Sequence, residues 1–139
     1  IKPNLNEFEE LLGRKFRSDS AIALAAKQLS RHAAIVCVSL GPRGAVFAAG
    51  KLAWFGKAPR IEARGTVGAG DSMVGAMAAR LVHYMVPGTR ANWKSEEILH
   101  DVFSWGLAAG AASAEAEGTA MASVQRIRAL QKQVEISVI

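Results

Sequence analysis

The run Gly65-Thr66-Val67-Gly68-Ala69-Gly70-Asp71 leads directly into a helix-forming stretch over residues 72–86. Glycines at 65, 68 and 70 allow turn geometries that side chains oppose, and they let a bulky group approach the backbone. A glycine-rich loop that opens a helix also presents unpaired N–H groups at the positive end of the helix dipole, which suits a phosphate. A carboxylate beside such an anion repels it unless the carboxylate has separate work, and taking a proton is such work. The combination predicts phosphoryl transfer to a hydroxyl, with N–H groups holding the phosphoryl and Asp71 as general base. The same composition also serves as a plain turn and helix start. No Gly-Lys-Ser or Gly-Lys-Thr follows, so this is not a Walker loop.

Residues 66–77, Thr-Val-Gly-Ala-Gly-Asp-Ser-Met-Val-Gly-Ala-Met, resemble the second signature of the ribokinase-like, phosphofructokinase-B sugar kinases almost residue for residue. The resemblance implies that the amides of Gly68, Ala69 and Gly70 form an anion hole and that Asp71 deprotonates a sugar hydroxyl. Near the start of the chain, Asn4 with Glu7 three positions on reads as a capping box for a helix over residues 5–12, closed by Gly13. Helix stability alone accounts for such a box. The segment Lys-Pro-Asn-Leu-Asn-Glu also resembles the Asn-x-x-Glu motif of the same kinases, which implies magnesium held through water by Asn4 and Glu7, and ATP phosphate met by Lys2 and Asn4.

Residues 38–45, Val-Ser-Leu-Gly-Pro-Arg-Gly-Ala, resemble the family's strand and nucleotide loop, so Ser39, Gly41 and Gly44 become candidate ATP contacts. Residues 106–112, Gly-Leu-Ala-Ala-Gly-Ala-Ala, followed by Glu117-Gly118-Thr119, resemble the helix that borders the adenine pocket. On that basis Gly106, Ala109 and Gly110 are nucleotide contacts, although two closely packed helices would produce the same composition. The family's monovalent-cation site implies main-chain carbonyl ligands near Gly65, Val67, Ser113, Ala116 and Gly118. The Asn and Arg often seen at 116 and 120 are both alanine here, so a potassium site rests on backbone alone.

The elements that must carry these residues follow from periodicity. Asp19 or Ser20 caps a helix to about Arg31, with Ile22, Leu24, Ala25 and Leu29 as its apolar stripe; Arg14, Lys15 and Arg17 form a solvated connection before it. The unbroken apolar run 34–40 predicts a strand buried on both faces of a parallel sheet, ended by Gly41-Pro42-Arg43-Gly44. Residues 45–49 and 52–56 read as a hairpin around Gly50-Lys51. Met73, Met77, Leu81 and Tyr84 or Met85 fall on one side of the helix after Asp71, which Pro87-Gly88 stops. A surface connection anchored by Trp93 leads to a long helix over 95–117. Ser123 caps a last helix to about Val134, and 135–139 is an apolar tail suited to a final strand.

With 139 residues, half of them apolar, one domain over residues 1–139 is expected. The net charge of +5 is spread along the chain, without a basic block interleaved with aromatics, which argues against nucleic acid. No apolar run approaches the roughly 20 residues that cross a bilayer, so no membrane partner is expected. The single cysteine, Cys37, excludes an internal disulfide, lies in an apolar run and makes a poor nucleophile; a reducing, cytoplasmic setting follows. His32, His83 and His100 share no face or ligand spacing, which argues against a histidine metal site.

Taken with the resemblance, the expected fold is a three-layer αβα ribokinase-like α/β domain with a mainly parallel sheet. The chain opens at Ile-Lys-Pro-Asn, where a strand is already ending, and corresponds to the C-terminal, nucleotide-binding half without the sugar-binding half and lid. The implied activity is ATP- and magnesium-dependent phosphorylation of a sugar phosphate, fructose 6-phosphate giving fructose 1,6-bisphosphate. The alternatives are 1-phosphofructokinase or tagatose-6-phosphate kinase activity, or a non-catalytic nucleotide-binding module if the chain is truly this short. A homodimer is implied for the intact protein.

Overall fold

The computed structural model describes residues 1–85, 92–116 and 122–139. Its first helix, α1 (Leu5–Leu12), is fixed at both ends by its own sequence. The Asn4 side chain accepts from the Glu7 N–H at 2.9 Å, and Glu7 accepts from the Asn4 N–H at 2.8 Å. Gly13 ends the helix in the left-handed conformation, and its N–H donates to the carbonyls of Glu9 and Glu10. Helix α2 (Asp19–Leu29) is capped by Ser18, one residue before the expected cap. Its buried face is Ile22, Ala23, Ala25 and Ala26, whereas Leu24, expected in the stripe, is 60% exposed.

The strands form a four-stranded sheet in the order β1 (Val36–Ser39), β2 (Gly44–Ala49), β3 (Leu52–Lys57) and β4 (Glu135–Val138). Every pairing in that meander is antiparallel, which corrects the expectation of a mainly parallel sheet for this chain. The reason lies in the connections: Gly41–Arg43 makes one turn of 3-10 helix and Gly50-Lys51 a tight turn, both too short for the crossover a parallel pair needs. Parallel pairing occurs where residues 1–4 run beside β1, with the N–H groups of Cys37 and Ser39 donating to Ile1 and Pro3 carbonyls at 2.9 and 3.0 Å.

Contacts divide the chain into two compact units, residues 1–58 with 135–139 and residues 59–134. The first unit closes because β4 returns to pair with β3. Its core gathers Phe8, Ile22, Val36, Val38, Leu40, Val46 and Ala53, all buried. Cys37 is fully buried on β1, and desolvation pushes its thiol pKa up to about 12. Ellman's reagent should therefore label the native protein on the order of 100-fold more slowly than the denatured chain; equal rates would show β1 to be accessible.

The second unit is built from α3 (Ala69–Tyr84), α4 (Glu96–Glu115) and α5 (Val124–Gln131). Ser95 and Ser123 cap α4 and α5, as their positions before Glu96-Glu97 and Val124 predict. Met73 and Met77 are buried, Leu81 and Tyr84 half-buried and Met85 exposed. Pro87, Gly88 and Gly118 lie outside the described residues. Among the described residues no helix is long and apolar enough to cross a membrane.

Candidate active site

The glycine-rich loop opens a helix, and it does so earlier than its sequence suggests, at Ala69 rather than Ser72. Gly68 stands at the N-cap with φ +81°, a left-handed geometry that a side chain would strain, and no side chain caps this end. Asp71 is therefore the third residue of the helix and not its cap. Its side chain is exposed and makes no hydrogen bond or ion pair with any described residue. Of the three amides assigned to the anion hole, Ala69 N–H donates to the Thr66 carbonyl at 3.3 Å, while those of Gly68 and Gly70 donate to no described residue. A first turn with free N–H groups, beside an exposed carboxylate one and three residues on, can hold an anion and take a proton from a hydroxyl set against it.

The start of this loop is tied down. The N–H groups of Arg64 and Gly65 both donate to the Ala114 carbonyl, at 2.8 and 3.2 Å, near the C-terminal end of α4. Those bonds bring Gly65 to the helix end that carries Ser113 and Ala116, two of the other candidate cation ligands. The Ser113 carbonyl accepts from the Ala116 N–H at 3.2 Å, and Val67 is 81% exposed. Gly118, the remaining member, lies outside the described residues.

In the first unit, residues 2–7 lie beside β1. Lys2 Nζ donates to Ser39 Oγ at 3.4 Å, and Asn4 bridges Ser39 through the backbone. Asn4 and Glu7 are occupied with each other in the capping box, yet both are exposed, and each side-chain oxygen has capacity for a water. One carboxylate and one amide oxygen suit a magnesium ion that keeps its waters and leans on phosphate. Among the described residues no cluster of three acidic, His or Cys side chains could cage a metal without such help. Gly41 is exposed in the turn after β1, and Arg43 Nη1 holds that turn to the start of α2 by donating to both Asp19 oxygens at 2.8 and 3.0 Å. Gly44 is buried in β2.

Gly106 and Gly110 of α4 face α3, whereas Ala108, Ala111 and Ala112 pack with Leu130 of α5. A methyl group added at Gly106 would meet Met77 Cγ at 2.4 Å, and one at Gly110 would meet the Ala69 carbonyl at 3.3 Å. Close helix packing, the alternative open at the level of composition, therefore accounts for both glycines; Ala109 is 2% exposed.

One cluster had no signature in the sequence. Asp101 on α4 accepts from Arg80 Nε at 2.5 Å and Tyr84 OH at 2.9 Å on α3, and from Gln131 Nε2 at 3.1 Å on α5. Arg80 and Tyr84 are four apart on one helix face, but nothing in their spacing identifies a partner on another helix. Partial burial raises the Asp101 pKa, but the hydrogen bond and charge of Arg80, with the hydrogen bonds from Tyr84 and Gln131, outweigh it and hold the carboxyl below its ordinary range. The folded state thus keeps Asp101 ionised at lower pH than the unfolded chain does, so its stabilisation is complete above the ordinary aspartate range and is lost as pH falls through the depressed value. Asp101→Asn should cost about 1–2 kcal/mol at neutral pH, and the gap to wild type in urea melts should close on acidification. A gap independent of pH would remove the charge from this account.

Residues 1–126 match the model of the pfkB family carbohydrate kinases. The chain belongs to that family. It is 34% identical over 125 residues to the ATP-dependent 6-phosphofructokinase isozyme 2 of Escherichia coli, covering 88% of this chain and 37% of that one. It is also 34% identical over 116 residues to the 1-phosphofructokinase of Borreliella burgdorferi, covering 82% and 34%. The solved structure of E. coli phosphofructokinase-2 in complex with substrates and products superposes with a TM-score of 0.79 at 30% identity, over 95% of this chain and 39% of that one. That enzyme has also been solved in complex with potassium, with a TM-score of 0.78 at 30% identity, over 95% and 40% of the two chains. This PfkB chain has the α/β fold of ribokinase-like kinases, and it spans a little over a third of the length of these curated relatives.

Proposed function

We propose that this PfkB chain is the nucleotide-binding and catalytic part of an ATP-dependent sugar-phosphate kinase, with fructose 6-phosphate as acceptor and fructose 1,6-bisphosphate as product. The observation that carries the reading is the opening of α3, where exposed Asp71 follows within three residues of the uncapped amides of Gly68 and Gly70. The acceptor hydroxyl oxygen bonds to the γ-phosphorus of ATP, the bond to the ADP oxygen breaks, and the hydroxyl proton passes to Asp71. The amides of Gly68, Ala69 and Gly70 meet the charge that grows on the transferred phosphoryl, Ala69 by exchanging its long bond to Thr66 for one to the phosphoryl. Lys2 and Asn4 bind ATP phosphate, Ser39, Gly41 and Gly44 shape the nucleotide loop, and Ala109 with its glycine neighbours lies in the helix bordering adenine. Asn4 and Glu7 would hold magnesium through water, and the ion would supply charge neutralisation at the phosphates. The carbonyls near Gly65, Val67, Ser113, Ala116 and Gly118 would hold a potassium ion beside the loop, by analogy with the E. coli enzyme solved with potassium. The sugar pocket, a homodimer interface and cytoplasmic residence belong to the intact protein.

The test is ADP release by the intact protein with fructose 6-phosphate, fructose 1-phosphate and tagatose 6-phosphate. Turnover with fructose 6-phosphate should exceed the others by at least about 10-fold in kcat/KM, the discrimination a few well-placed polar contacts provide. Preference for fructose 1-phosphate would move the reading to the 1-phosphofructokinase branch, and no ADP release with any sugar phosphate would end it.

A further inference from the structure

We infer that α4 is the template on which the phosphoryl-binding loop is set, with Gly110 as a positioning residue for that loop. The inference rests on the kinase reading of the Gly68–Asp71 segment but concerns a residue one helix away. Gly110 and Ala114 are four residues apart, so they lie one above the other on the same face of α4. Ala114 holds the start of the loop, because its carbonyl, one of those left without a helical partner near the end of α4, accepts from Arg64 N–H at 2.8 Å and Gly65 N–H at 3.2 Å. Gly110 holds the far end, because the absence of a side chain lets α3 approach until the Ala69 carbonyl is 3.3 Å, and Met73 Cβ 3.5 Å, from where a methyl group would stand.

The contact at Gly110 differs from the one a turn earlier. A methyl group at Gly106 presses hardest on the Met77 side chain at Cγ and Sδ, which can rotate away, and stands at ordinary van der Waals distance, 3.4 Å, from the Met73 carbonyl. At Gly110 it presses on the backbone of Ala69, the residue whose amide belongs to the anion hole, and a helix backbone yields only by moving the turn it belongs to. A shift of a few tenths of an ångström there displaces the Gly70 amide and Asp71 together, since all three share the first turn of α3. Catalytic hydrogen bonds and proton transfer are sensitive to displacements on that scale, whereas the affinity for substrates bound elsewhere is not.

The test uses the intact protein and two readouts. In Gly110→Ala, kcat should fall about tenfold while KM for ATP and for the sugar phosphate stays within about twofold, and amide hydrogen exchange at Ala69 and Ser72, whose N–H groups donate to the Thr66 and Gly68 carbonyls, should become faster. Met77→Ala, which loosens the same helix pair without touching the loop, should lower the melting temperature and leave kcat unchanged. A rise in KM for ATP with kcat preserved in Gly110→Ala would make Gly110 a nucleotide contact and overturn the positioning role. Unchanged exchange at Ala69 and Ser72 in that variant would overturn it whether or not the protein proves to be a sugar-phosphate kinase. An inactive wild type with faster exchange in the variant would reject the kinase reading and keep the template.

Discussion

Replacing Asp71 by Asn should lower kcat of the intact protein by at least about 100-fold, the scale expected when a general base is removed, with magnesium-ATP binding retained. Asn matches Asp in size and hydrogen-bonding reach, so the substitution isolates the ability to accept a proton. The structure removes the competing explanation that Asp71 is there to cap the helix. The N-cap is Gly68, and Asp71 sits at the third helical position, exposed and without a bond to any described residue. What remains structurally is its charge near the positive helix end, which contributes about 0.3–1 kcal/mol to stability and cannot account for a hundredfold loss of turnover. A coupled assay on both proteins decides the point, with the melting temperature measured alongside. Turnover within about threefold of wild type would return Asp71 to a minor electrostatic role and remove the proposed proton transfer.

The second large effect is expected at Gly44, and it is one of stability. Gly44 opens β2 at φ +117°, and a Cβ there would stand 1.9 Å from the Gly56 carbonyl oxygen and 2.8 Å from the Ala58 amide nitrogen. Both are backbone atoms of a paired strand and its exit, with Gly44 opposite Lys57 and Ala45 opposite Gly56 in the ladder. No rotamer change relieves such a contact, so Gly44→Ala must open the β2–β3 pairing or shift the turn after β1. The expected cost is about 3 kcal/mol or more, combining backbone strain with overpacking, seen as a lower urea midpoint. Gly41, also at positive φ but with nothing within 4 Å of its Cβ position, should cost about 1 kcal/mol on the same change. Equal midpoints for the Gly44 variant and wild type, with weakened ATP binding, would instead assign Gly44 to the nucleotide alone.

The local signals in this chain were strong enough to be read without the fold. Asn4 with Glu7 fixed α1 to the residue, Gly50-Lys51 fixed the β2–β3 turn, and Ser95 and Ser123 marked the starts of α4 and α5, because caps and tight turns are set by residues within four positions of each other. The motif over residues 66–77 likewise carried the family, which the match over residues 1–126 bears out.

Strand direction was not legible in the same way. The run at residues 34–40 is apolar but for Ser39, and burial on both faces produces that pattern in a parallel or an antiparallel sheet alike; the short connections on either side of β2 settled the matter. Composition also left the small residues of α4 between two readings, since a flat ligand and a neighbouring helix both demand missing side chains. Only the approach of Met77 and the Ala69 carbonyl assigned Gly106 and Gly110 to α3. The bonds from Arg64 and Gly65 to Ala114, and from Arg80, Tyr84 and Gln131 to Asp101, join positions 17 to 50 residues apart. Partners at such separations are chosen by how helices pack, and packing depends on the summed shape of many side chains, none of which names its neighbour in the sequence.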